Sequence, residues 1–460
     1  MADGGDARVE SIAAADQEVT EARSPRWRLA VALVVVAIGA AGFAIAFRAA
    51  LAEVAYALGG SDVVSMIAGL PLWERIALPV AGGLLAGLVA LAAARVREGA
   101  GVGYVMEAIV LGNVRVPLAR SALQALGSWF AIAAGNSLGR EGPLIQVGAA
   151  SGEASRRWLK LDDATARIVL AAGVAAGFAA AYNAPIAAVL FVVEVVTGVA
   201  ILEAVVPVAI TTVLATVITR LALGEGPLYG VRTFTSISLY ELVAFVGVGL
   251  IAAPLGVGFL RLLGIVERWW TKLPMPWRPA AGALVGGGMI CALPLLAGNG
   301  FEPLALLLDG KLAIATVVWL MIAKPFATAA AVGSGNPGGV FTPTLLLGAC
   351  AGTLCALGLH EVLGDVISSP GAYALVGLAA ALAATTHAPL TATVLACELS
   401  GDWAMVLPLL LACAIAAGLA RKLYIDSVYT AELSRRGLRW RLTLDGRRTI
   451  ANQQQTVDVV

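Results

Sequence analysis

Two stretches of the 460-residue sequence carry residue types that could handle an ion directly: Gly139-Arg140-Glu141-Gly142-Pro143 and Gly339-Val340-Phe341-Thr342-Pro343. A glycine-rich turn with a proline a few residues on starts a helix whose first N–H groups lack an intrahelical acceptor. Their summed partial positive charge is a ready anion site. Two such starts aimed at one buried point would hold a dehydrated anion on backbone amides, with no full charge to trap it. In the first stretch Glu141 puts a carboxylate at the helix N-terminus, where it gains from the same amides and competes for the anion's place. Its protonation would free that place.

The pair belongs to a larger repeat. Gly135, Asn136, Gly139, Pro143, Gly148 and Ala149 recur 200 positions on as Gly335, Asn336, Gly339, Pro343, Gly348 and Ala349. Asn183-Ala184-Pro185 with Glu194 recurs 204 positions on as His387-Ala388-Pro389 with Glu398. Two matches in the same order at nearly the same offset point to an internal duplication, with repeat 1 over about 76–225 and repeat 2 over about 279–420. Paired broken segments in two halves are the sequence sign of a transporter whose ion site lies between the repeats. Spacing alone does not say whether the repeats run parallel or inverted.

The elements that must position these turns are membrane helices. Apolar runs long enough to cross a bilayer, which takes about 20 residues, cover 29–47, 76–94, 168–199, 201–223, 238–263, 279–297, 312–332, 371–396 and 403–420. The Gly/Pro-broken runs 117–136 and 338–362 read as helices that start or stop within the membrane. With 59% apolar residues, 13% charged residues and a mean hydropathy of +0.87, a water-soluble enzyme is excluded, and a net charge of +1 gives no field for nucleic acid. The 52 glycines allow close helix packing where lipid supplies no hydrophobic drive.

Basic residues flank the apolar region: Arg23, Arg26 and Arg28 before it, and Arg421, Lys422, Arg435, Arg436, Arg439 and Arg441 after it. The positive-inside rule then expects both termini in the cytoplasm and a multi-pass protein of the plasma or inner membrane. The expected division is a disordered cytoplasmic tail over 1–25, a membrane domain over 26–435 and a cytoplasmic C-terminal tail over 436–460. Cys291, Cys350, Cys355, Cys397 and Cys413 form no metal or disulfide pattern and read as small hydrophobes. No cofactor is expected.

GREGP at 139–143, GSGNPGGVFTP at 333–343, the AYNAP and HAP turns and SVYTAEL at 427–433 together resemble the CLC family of chloride channels and proton-coupled anion exchangers, over about residues 30–435. The resemblance implies an all-α polytopic membrane fold of two inverted repeats whose broken helices meet at a midplane anion site, assembled as a homodimer with a pore in each subunit. It implies that Glu141 is the gating glutamate. The amides around Arg140, Glu141 and Gly142 would form an outer anion site, and those of Val340 and Phe341, with the Tyr429 hydroxyl, a central one.

Two departures stand out. Where family members carry GSGIP, this chain reads Gly99-Ala100-Gly101-Val102-Gly103, so Ala100 brings no hydroxyl to the central site and Gly103 replaces a proline. Where proton-coupled members carry a second glutamate after LFxxE, Val195 follows Glu194. Val195 tilts the reading toward a passive channel. Proton-coupled exchange by an unconventional route, with Glu194 or the inner vestibule as its way in, is the alternative. Glu194, repeated as Glu398, also reads as a buried structural carboxylate.

Two rival readings use the same residues. Gly135-Asn136-Ser137-Leu138-Gly139 satisfies G-x-S-x-G and, with His387, could be drawn as an intramembrane serine hydrolase, but a nucleophile elbow needs a strand-to-helix turn that a helical chain does not offer. A cation or organic-solute carrier would want acidic or aromatic groups facing the cavity. Lys324 is expected to snorkel or pair with a buried carboxylate, and Trp269, Trp270, Trp277 and Lys272 to form an interfacial belt.

Overall fold

The computed structural model describes residues 24–96, 99, 101–112, 114–200, 202–234, 240–275, 277–443 and 446–450, so the expected 1–25 tail lies almost wholly outside it. Among the described residues, repeat 1 is preceded by α1 (Arg26–Ala57) and α2 (Val63–Gly69). It comprises α3 (Glu74–Ala93), α4 (Val102–Val110), α5 (Leu118–Ala133), α6 (Glu141–Leu159), α7 (Asp163–Tyr182), α8 (Pro185–Phe191) and α9 (Leu202–Leu223). Then come α10 (Glu241–Trp270), α11 (Trp277–Ala292), α12 (Phe301–Leu308), α13 (Ile314–Gly333), α14 (Phe341–Leu363), α15 (Pro370–Thr386), α16 (Pro389–Ser400), α17 (Val406–Leu423) and α18 (Thr430–Arg435). A short antiparallel hairpin, β1 (Arg439–Thr443) with β2 (Gly446–Ile450), lies in what the sequence suggested was only a tail.

Among the described residues, eight helices are long and apolar enough to span a membrane. Their outer faces carry lipid-compatible stripes: on α9, Leu202, Val206, Ile210, Val213, Val217 and Leu221 are all exposed at helical spacing. Two expected spans are corrected. The run 168–199 breaks where Asn183 takes φ 55 and Pro185 starts α8, and 371–396 breaks where His387 takes φ 60 and Pro389 starts α16. Hydropathy averages across such a turn, whereas a left-handed residue followed by proline ends one helix and begins another.

The contacts between the halves are reciprocal, as a two-fold relation between them requires. Gly139 and Gly339 form an antiparallel bridge, each N–H donating to the other's carbonyl at 2.6 and 2.7 Å. The Asn136 amide donates to Pro79 O and Ala131 O, and the Asn336 amide to Pro279 O and Ala331 O, fixing the chain before each bridge in the same way. The carboxylates cross over. Glu194, in a π-turn (Val192–Thr197) after α8, accepts the Leu390 and Thr391 N–H groups at the start of α16, and Glu398 on α16 accepts those of Ile186 and Ala187 at the start of α8. Each half thus satisfies the orphan amides of the other's helix.

Glycine sets the closeness of the two central pairs. A Cβ on Gly148 would run into Gly173 O between α6 and α7, and one on Gly348 into Gly377 O between α14 and α15. Accordingly α15 is buried along its length from Gly371 and α7 along all but its first turns.

Candidate anion site

The starts of α6 and α14 face each other across the Gly139–Gly339 bridge, and one carboxylate lies between them. Glu141, the first residue of α6, is 2% exposed. Its Oε1 accepts the Tyr182 hydroxyl at 2.6 Å, the Thr342 N–H at 3.2 Å and the Thr342 hydroxyl. The side chain of one repeat therefore occupies the helix-start amide of the other. Oε2 accepts no hydrogen bond among the described residues and lies against Gly139 and Gly339, either of which would collide with it if it carried a Cβ.

A cavity of about 360 Å³ leads away from Glu141. Its walls include Gly142, Val340, Phe341 and Tyr429, together with Gly101, Val102, Gln124 and Gln146, and the part-exposed Glu267 and Arg435 line it with Glu432. Aromatic rings hold the first group in place: Phe341 packs edge-on to Phe178 at 5.5 Å and against Tyr182 at 5.2 Å, and Tyr429 stands edge-on to Phe191 at 5.6 Å. The Gln146 amide bridges Gly101 N–H (3.0 Å) and the Ser121 hydroxyl (3.2 Å), tying the start of α4 to α6.

The structure brings Glu141, Gly142, Val340, Phe341 and Tyr429 onto one cavity and sets Arg140 at the cap of α6 beside it. Ala100 lies outside the described residues, although its neighbours Gly101 and Val102 line the wall. Val195 is 1% exposed in the π-turn, away from this cavity, and the Glu194 carboxylate is engaged by α16. Tyr182 and Thr342 escaped the sequence reading; Tyr182 lies in the AYNAP turn and Thr342 in GGVFTP, so both stood inside noted motifs.

The structure also places Lys324 and the residues of the rival readings. Lys324 does not snorkel: fully buried, its Nζ donates to Leu296 O and Gly298 O, both at 2.9 Å, with the Glu302 carboxylate as its charge partner. Ser137, drawn as a rival nucleophile, hydrogen-bonds the Thr328 hydroxyl at 3.0 Å, while His387 is the left-handed cap of α15.

An all-α chain of inverted repeats, spanning a membrane and aiming two helix starts at one carboxylate, belongs to the class of polytopic membrane transport proteins. The pattern of the voltage gated chloride channel family matches residues 82–421. A protein of Ralstonia nicotianae described as ClcB-like is 37% identical over 411 residues, covering 86% of this chain and 95% of that one. The voltage-gated ClC-type chloride channel ClcB of Escherichia coli is 33% identical over 415 residues, covering 87% and 97%. The structure of a slow cyanobacterial Cl−/H+ antiporter is 26% identical with a TM-score of 0.80, over 90% of this chain and 98% of that one. The chain belongs to the CLC family, whose work is anion transport and not enzymatic chemistry.

Proposed function

We propose that this chain passes chloride or a similar small inorganic anion across the membrane, that Glu141 is its gate, and that the movement is passive. The supporting observation is the buried Glu141 carboxylate lying on the Thr342 amide in the wall of the cavity. A carboxylate there stands in for the anion, and protonation would let it leave the amide to a permeating ion. Val195 favours the passive form, because a buried valine cannot relay a proton. The homodimer and the cytoplasmic placement of both termini belong to the same proposal.

The likeness to a Cl−/H+ antiporter favours a second reading, proton-coupled exchange, in which Glu141 would receive its proton through water in the cavity. Proteoliposomes holding chloride and pH gradients together separate the two. A channel reverses at the chloride equilibrium potential whatever the pH difference; uphill proton movement driven by chloride would overturn the passive reading. Absence of chloride release under a voltage clamp by a potassium ionophore would overturn transport altogether.

A further inference from the structure

We propose that Glu432 is a second gate, a tethered carboxylate that guards the mouth of the cavity as the buried Glu141 guards its wall; this rests on the anion-transport reading above. Glu432 projects from α18 onto the first turn of α4. Its carboxylate oxygens lie over Gly101 and Gly103, and it lines the cavity together with Arg435 and Glu267, both of them part-exposed. A Cβ on Gly101 would stand 3.0 Å from Glu432 Oε1, and one on Gly103 would stand 3.1 Å from Oε2. The two glycines therefore give the carboxylate its seat, and Gly103 keeps a helix-start N–H near it that a proline at that position would lack.

The construction repeats that of Glu141: a helix start opens on the cavity wall, and a carboxylate from another element fills it. An anion coming in by this mouth meets a negative charge on the amides that would otherwise draw it in. With that charge neutralised, the start of α4 faces the ion.

The charged groups around Glu432, among the described residues, are committed elsewhere. Arg435 pairs with Glu267 of α10 at 3.2 Å, and Arg436 pairs with Glu107 of α4 at 2.9 Å while lying over the Tyr104 ring. Burial pushes the Glu432 carboxyl up; Arg436 and Arg435 pull it down, Glu267 pushes it up and the Gly103 N–H pulls it down, for a net rise above the usual carboxylate range. Acid at this mouth thus neutralises the gate before it titrates ordinary surface carboxylates.

The test is chloride flux from proteoliposomes with the pH of the two faces set separately, in the Glu141→Gln background where the first gate is already neutral. That variant should still be accelerated by acid applied at the α18 face. Adding Glu432→Gln should raise neutral-pH flux about threefold, the weight of one negative charge at a helix N-terminus, and abolish the remaining acid response. Gly103→Ala, which leaves the carboxylate present but crowds Oε2, should raise flux while keeping the acid response, and it serves as the second variant should Glu432→Gln fold poorly. If Glu141→Gln with and without Glu432→Gln conduct alike, at the same rate and pH response, the second gate is overturned and transport stands. If the parent and every variant fail to release chloride, both readings fall.

Discussion

Repeat 1 and repeat 2 carry equivalent residues where the chain must turn, cross or cap, and different residues where the halves meet the cavity. Asn136 and Asn336 hold equivalent pairs of carbonyls, Gly139 and Gly339 exchange hydrogen bonds, and Asn183 and His387 both take left-handed caps. Glu194 and Glu398 cap each other's helices. At the meeting point the equivalence stops: Glu141 stands opposite Phe341, Gly142 opposite Thr342, and Tyr182 opposite Thr386. The three chemically active members, Glu141, Tyr182 and Thr342, are bonded to one another across the two halves. Duplication supplied the scaffold, and asymmetry at three pairs of positions supplied a single carboxylate between two helix starts.

Scaffold positions should therefore fail alike in both halves. Gly148→Val and Gly348→Val each force a side chain into a facing backbone carbonyl, which no rotamer change relieves. Overpacking costs about 1–3 kcal/mol where side chains can yield and more where they cannot. Loss of monodisperse protein on size-exclusion chromatography is expected for both, and tolerance of one alone would break the equivalence. Glu194→Ala and Glu398→Ala should follow, each leaving two helix-start N–H groups without their acceptor at a cost on the order of 3 kcal/mol. Thermal unfolding in detergent should show two similar losses; a silent Glu194→Ala would reopen its place on a proton route.

Site positions should behave in the opposite way, altering transport with little effect on stability. Glu141→Gln should raise chloride flux at neutral pH and weaken its rise with acid, whereas Phe341→Leu at the equivalent position should leave the acid response intact. Tyr182→Phe removes one donor from the same carboxylate and should raise flux by no more than about tenfold, with Thr342 still holding Oε1. A Glu141→Gln protein as acid-responsive as its parent would remove Glu141 from the gate.

The sequence made the scaffold legible because turn residues are local: positive φ at Gly135 and Gly335 and the prolines of α8 and α16 leave marks in the chain wherever they sit. It pointed to Glu141, Val340, Phe341 and Tyr429, which line the cavity, through motifs that resemble the CLC family. Tyr182 and Thr342 were hidden because their partner lies 41 and 201 positions away, and a hydroxyl in an apolar run has no local signature. Glu432 was hidden inside SVYTAEL for the same reason: only the fold lays α18 against the start of α4.

The smallest expected effect concerns a start that the two halves build differently. In repeat 2 the cap of α15 is Ser369, whose side chain makes no capping bond. In repeat 1 the cap of α7 is Asp162, which accepts the Thr165 N–H at 2.9 Å and the Ser24 N–H at 2.8 Å, tying the chain before α1 to this corner. Burial pushes the Asp162 carboxyl up, and donation by the Ser24 and Thr165 hydroxyls and N–H groups outweighs it, so the folded-state value lies well below the usual carboxylate range. A group depressed on folding contributes stability above its unfolded value, near 3.9 for an aspartate, and loses it as pH falls toward the folded one. The α7 corner should thus keep its full protection from hydrogen exchange at neutral pH and lose part of it only below about pH 4, while the α15 start stays flat. Asp162→Asn should abolish that acid response in peptides covering the starts of α1 and α7; equal acid sensitivity at the start of α15 would show that the corner's carboxylate is not its cause.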